Sequence, residues 1–174
     1  MPACALGRHH HETPAEHRTR TWAGVGILFA VCLAVEVVSG AITTAGLGDW
    51  YRALSKPGWT PPDWVFGPVW TALYLMMAGA AGLVWAARDR EDVCCPLAAF
   101  GLQLAANLGW TVFFFGLGRP FLAFLDVLML WVLIGITTLQ FFEVSRAAGW
   151  LLVPYWIWVS FAAVLNAAIL AGAG

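Results

Sequence analysis

Long apolar runs separated by short polar breaks occupy nearly the whole chain, and they are too long for core strands. Five occur, over about residues 22–44, 64–87, 96–115, 120–142 and 150–171. Each is near the ~20 residues that a helix needs to cross a ~30 Å hydrocarbon layer. The breaks carry helix-ending chemistry. Lys56-Pro57-Gly58 and Thr60-Pro61-Pro62 make the stretch from Ala45 to Asp63 too broken for one helix. The charged Arg88–Asp92 closes the second run, and Pro96 suits the first turn of the third. Gly116–Arg119 is short enough to make the third and fourth runs antiparallel neighbours, and Glu143–Gly149 separates the last two. The predicted fold class is all-α: an integral membrane bundle of five transmembrane helices over residues 22–174, with a long first loop. A polar tail over residues 1–21 is expected to be disordered. The runs show no internal repeat, which speaks against an inverted-repeat transporter.

Composition reinforces this assignment. The 174 residues are 61% hydrophobic and 11% charged, against about 25% charged in a soluble domain. The net charge of −1, with cations scattered rather than clustered, gives no footprint for nucleic acid. Arg8, Arg18, Arg20, Arg88, Arg90 and Arg146 fall on the N-terminal side, and Arg52, Lys56 and Arg119 on the other, favouring a cytoplasmic N-terminus. The tail lacks the apolar core of a secretory signal, and its His9-His10-His11 run is read as incidental. Nothing reads as an organelle address, so a bacterial envelope membrane is the default location. Cys4, Cys32, Cys94 and Cys95 have neither zinc spacing nor a disulfide framework. Eleven tryptophans exceed what lipid-interface belts need.

Polar groups inside the runs point to the bundle interior, because each costs several kcal/mol in hydrocarbon unless it faces protein or water. Among them are Glu36, Gln103, Asn107, Asp126 and Asn166. At about 100° per residue, Gln103, Asn107 and Trp110 share one face of the third helix. Gly101, Ala105 and Gly109 form a small-residue ladder on the opposite face. That ladder suits close approach, either of a neighbouring helix or of a second copy at a dimer interface. Tyr155, Trp158, Ala162 and Asn166 make a stripe on the fifth helix, and Phe66, Trp70, Tyr74 and Met77 one on the second. Three converging stripes describe a pocket with flat apolar walls and a few directed donors, fit for a planar hydrophobic ligand. Asn107 and the indole N–H groups are expected to orient it. A tryptophan-rich core is the competing interpretation of any one of these aromatics.

What the runs lack narrows the ligand. All four histidines lie in the tail, so no span offers an imidazole to haem iron. Lys56, the one lysine, lies in the first loop, which removes a retinal Schiff base within a helix. No Ser-His-Asp or metal constellation can be assembled from the spans. Ordinary hydrolysis is not expected, and no cofactor or metal is called for.

Trp50-Tyr51, Leu54, Lys56-Pro57, Trp59, Pro61-Pro62, Trp64, Gly67-Pro68, Trp70 and Leu73-Tyr74 resemble the signature of the TspO/MBR family, the translocator or tryptophan-rich sensory proteins. The match continues through Gln103, Leu104, Asn107, Trp110, Phe114-Phe115-Gly116, Asp126, Pro154-Tyr155, Trp158 and Leu165-Asn166, in collinear order. The resemblance implies a five-helix bundle whose pocket is capped by the first loop, commonly as a homodimer. It implies binding of porphyrins such as protoporphyrin IX, with the porphyrin as ligand or substrate. In some bacterial members it also implies light-dependent porphyrin degradation needing two tryptophans, which match Trp70 and Trp158. The other pocket positions match Tyr51, Asn107, Trp110 and Ala162.

Three departures qualify that inheritance. The Tyr and Arg of the cholesterol-recognition motif of animal members are not matched, so sterol binding through it is not expected. Thr111-Val112 replaces a common proline pair, so the third helix should kink less. Leu122 stands where a tryptophan is common. The competing functions are a porphyrin sensor or scavenger, a translocator using Glu36 or Asp126 as proton-linked groups, and a regulatory partner of another membrane complex.

Overall fold

The computed structural model describes residues 14–172. Helices α1 (Pro14–Gly46), α2 (Asp49–Ala53), α3 (Asp63–Ala86), α4 (Cys94–Thr111), α5 (Pro120–Val144) and α6 (Arg146–Gly172) follow in order, with a π-helical turn at Val112–Gly116 continuing α4. Among the described residues there is no strand. Five stretches are long and apolar enough to cross a bilayer: Arg18–Gly46, Asp63–Ala86, Cys94–Gly116, Pro120–Val144 and Arg146–Gly172. They are the five expected spans. Helix is what such sequences must form in lipid, where each backbone group needs an internal partner.

The boundaries differ in three places. Helix α1 begins at Pro14, so residues 14–21, expected in the disordered tail, are helical. Proline is preorganised for a first turn, and Glu16 sits there at the positive end of the helix dipole. The expectations for Cys4 and His9–His11 fall outside the described residues. Between α5 and α6 the anticipated seven-residue link shrinks to Ser145 alone. Its Oγ accepts the Ala148 N–H at 3.4 Å, capping α6 four residues before the expected start. Past Thr111-Val112, where no proline stands, the end of α4 is not regular α-helix. It widens into the π-turn, a local distortion that needs no proline.

Small residues set the packing order. Ala78, Ala80 and Ala81 of α3 are fully buried, letting neighbours approach closely. Helix α3 packs against α1 and α6, α6 against α5, and α5 against α4, while α4 and its π-turn return to α1. The bundle therefore closes as a ring in the order α1, α3, α6, α5, α4. Tyr74, Met77, Leu130, Ile134, Phe141, Leu152 and Tyr155 fill its centre. Helix α1 is the loosest member: 11% of its apolar stretch is buried, against 33–44% for the other four spans.

Two glycines shape the loop end of the bundle. At Gly46 an added Cβ would come within 2.5 Å of the Phe115 carbonyl oxygen, so glycine lets the end of α1 touch the π-turn backbone. Gly118 turns the chain into α5 at φ +60°, with the Trp50 ring packed over it.

Candidate functional site

A cavity of about 520 Å³ lies between α1, α3 and α4, at the end of the bundle nearer the first loop. That size is within the ~300–1,000 Å³ usual for small-molecule sites. Helix α3 supplies Phe66, Trp70 and Tyr74, α4 supplies Asn107, Trp110 and Thr111, and the π-turn supplies Phe115. Helix α1 supplies Glu36, Ser39, Gly40, Thr43 and Leu47. The cavity opens sideways between α1 and α3, where Val37 is 70% and Trp64 75% exposed. A Cβ at Gly40 or Gly67, on either side of this opening, would meet nothing within 4 Å.

Behind the cavity wall a polar chain links three helices. Tyr74 donates its hydroxyl to Asn107 Oδ1, and Asn107 Nδ2 donates to the Tyr155 hydroxyl at 3.2 Å. Ser39 Oγ lies 3.5 Å from the Tyr74 hydroxyl, and Thr111 donates to the Asn107 carbonyl at 3.3 Å. These groups are buried, so the chain replaces hydration that the bilayer interior cannot supply. Asn166 acts similarly at the loop end. It accepts the Trp110 indole N–H at 3.3 Å and donates to the Pro120 carbonyl at 3.0 Å, joining α4, α6 and the start of α5.

The first loop folds over the end of the bundle. Tyr51 is 5% exposed and donates to Asp63 Oδ1 at 3.2 Å. Lys56 Nζ sits 3.7 Å from the Tyr51 ring centroid and donates to the Tyr51 carbonyl at 3.0 Å. Trp50 meets Phe114 edge-on at 5.8 Å, and Trp59 meets Phe161 at 5.8 Å. Burial, then the Asp63 carboxylate and its hydrogen bond, push the Tyr51 phenol up to about 12. A phenol held neutral in the fold stabilises the closed loop fully below its unfolded pKa of about 10. That stability is lost as pH rises from there through about 12. Tyr51→Phe keeps the ring and removes the hydroxyl. Limited proteolysis within residues 47–62 is expected to speed up about fivefold at neutral pH, the size of one net hydrogen bond, and to lose much of its acceleration between pH 10 and 12.

Trp70, Tyr74, Asn107 and Trp110 of the sequence-derived set do line the one cavity. Tyr51 and Ala162 instead line a second, smaller hollow of about 30 Å³, with Lys56 and Asn166. Phe66, Trp110 and Phe115 border both, forming an aromatic partition. Gln103 and Tyr155 lie behind the wall. Gln103 Nε2 meets the Met77 sulfur at 3.9 Å, and Trp70 packs edge-on against Tyr155 at 6.2 Å. Trp158 borders neither hollow. Its ring lies against Phe66 at 5.8 Å and Phe161 at 5.4 Å on the α3–α6 seam. The Trp70/Trp158 pair therefore does not face one shared space, because Phe66 stands between.

The orienting donors also differ from expectation. The Trp110 N–H goes to Asn166, and the Asn107 amide to two tyrosines. The third wall is α1, not α6. Its stripe Glu36, Ser39, Gly40, Thr43 repeats at helical spacing, a signal that the sequence reading passed over. In the small-residue ladder, Gly101 and Ala105 face outward. A Cβ at Gly109 would sit 3.1 Å from Asp126 Oδ1, so that end packs within the chain against α5.

The model of the TspO/MBR family matches residues 28–171. The chain is 41% identical over 147 residues to a tryptophan-rich protein TspO of Chlorobaculum tepidum, covering 84% of this chain and 93% of that protein. It is 39% identical over 142 residues to a tryptophan-rich sensory protein of Cereibacter sphaeroides, covering 79% and 88%. It is 38% identical over 144 residues to the human translocator protein, covering 82% and 85%.

Proposed function

The chain belongs to the TspO/MBR family, and on that footing we propose that it is a membrane receptor for flat tetrapyrroles of the protoporphyrin IX type. It is a multi-pass integral membrane protein, and its bacterial relatives support a bacterial membrane as its location. The observation that carries the proposal is the cavity of about 520 Å³ walled by Phe66, Trp70, Trp110 and Phe115 and opening between α1 and α3. Aromatic walls favour a planar apolar ring by burial and stacking. The lateral opening suits a ligand that reaches the site dissolved in lipid. Trp70 is the indole placed to exchange an electron with a light-excited ligand. A second copy of the chain is the occupant assigned to the outward Gly101 and Ala105 face. The test is titration of the purified protein with protoporphyrin IX in dark and light. Saturable quenching of tryptophan fluorescence in the dark supports a receptor, while quenching that rises without saturation refutes it. Transport of the ligand across proteoliposomes without its loss would instead favour a translocator.

A further inference from the structure

The cavity lining is acidic. Glu36 and Asp63 line it, and among the described residues no lysine, arginine or histidine does. Glu36 lies on the α1 side of the lateral opening, ten residues before the end of α1. At a rise of ~1.5 Å per residue this sets it ~15 Å inside the bilayer from that end. Thr71 across the seam donates to Glu36 Oε1. Among the described residues Glu36 has no other hydrogen bond or ion pair, which leaves Oε2 without a protein donor at the cavity lining. A carboxyl group at such depth is costly unless it meets water, a donor or a cation. The Asn107 amide and the Trp110 indole N–H of the other walls are already engaged with protein. Of the two lining carboxylates, Asp63 sits at the start of α3 and accepts the Tyr51 hydroxyl, and Glu36 is the one set within a span.

We propose that Glu36 is a specificity-determining residue of the cavity, selecting flat amphiphiles that present a protonated amine or another strong hydrogen-bond donor towards α1. The inference rests on the receptor reading given above and narrows its ligand class. A ligand ammonium would supply the missing partner of Oε2 and cancel charge where lipid cannot solvate it. The same group opposes a ligand that turns a carboxylate inward. A dicarboxylic tetrapyrrole therefore enters with its acid groups trailing towards the opening, and an amine-bearing one enters amine first.

The test uses the full chain in lipid nanodiscs and three probes with one ring system. These are protoporphyrin IX, its neutral dimethyl ester, and its diamide with ethylenediamine, which ends in two ammonium groups. Glu36→Gln is expected to weaken the diamide about tenfold or more, the size of a lost charge-assisted hydrogen bond. It should leave the dimethyl ester within about threefold and hold or improve protoporphyrin IX. Thr71→Val keeps the carboxyl while removing its protein donor, and should keep the preference for the diamide over the ester. Equal weakening of all three probes by Glu36→Gln would mean a structural role and overturn the proposal. An unchanged diamide affinity would overturn it too. Failure of every probe to bind the unsubstituted protein would instead refute the receptor reading itself.

Discussion

Replacing Asn107 with leucine is expected to destabilise the bundle and weaken ligand binding together. The side chain keeps its approximate volume but loses the acceptor for Tyr74 and the donor to Tyr155. Both phenols then lie buried in the bundle without their partner. A buried polar group left unpaired costs ~1–3 kcal/mol. Hydrogen bonds between membrane helices average nearer ~0.6 kcal/mol, because the unfolded state in lipid also finds partners. Two such losses give about 1–6 kcal/mol, which thermal unfolding in detergent would detect as a lower Tm. Adding Tyr74→Phe and Tyr155→Phe should restore much of that stability by removing the stranded hydroxyls. No recovery in the triple variant would show that packing at position 107, not the polar chain, holds the helices.

Trp70→Ala is expected to lower porphyrin affinity far more than Trp158→Ala. Trp70 borders the cavity, whereas Trp158 is screened by Phe66 and Phe161. If the ligand covers roughly 80 Å² of the Trp70 ring, losing that contact costs ~2 kcal/mol at ~25 cal/mol per Å². That corresponds to about a thirtyfold loss of affinity. Trp158→Ala should change affinity by less than about fivefold, acting through a shift of Phe66. Equilibrium titration in the dark measures both. Under illumination, Trp70→Phe should slow any loss of the porphyrin absorption band, with Trp158→Phe having the smaller effect. Equal effects in dark and light would mean that the partition at Phe66 opens when ligand binds, joining the two hollows.

Much of this architecture was legible from residue order, for a simple reason. Spanning a bilayer imposes a length and a polarity on each helix, and the five runs carry both. The α3 and α4 walls were legible because Trp70–Tyr74 and Asn107–Trp110 repeat at helical spacing. The α1 wall was missed for want of aromatic or amide markers. Glu36 alone points to the interior, but only together with Ser39 and Thr43 does it define one face. A helical wheel also cannot say which neighbour covers a face. Trp158 shares its stripe with Ala162 and Asn166, yet α3 meets that stripe through Phe66, which closes the space before the cavity begins. The π-turn had no marker, since β-branched and aromatic residues at 112–115 fit an ordinary helix equally well. Ser145 had one, a cap residue directly before a helical run, and the polar neighbours on either side concealed it.

The loosely held α1 has a consequence for how this receptor would respond to its surroundings. In a bilayer the unburied face of that helix is open to acyl chains, so lipid would form part of the binding wall. Stiffer or thicker bilayers should squeeze the slot and slow exchange, and fluid ones should widen it. Micelles, which lack that sideways compression, should yield the fastest ligand release of all.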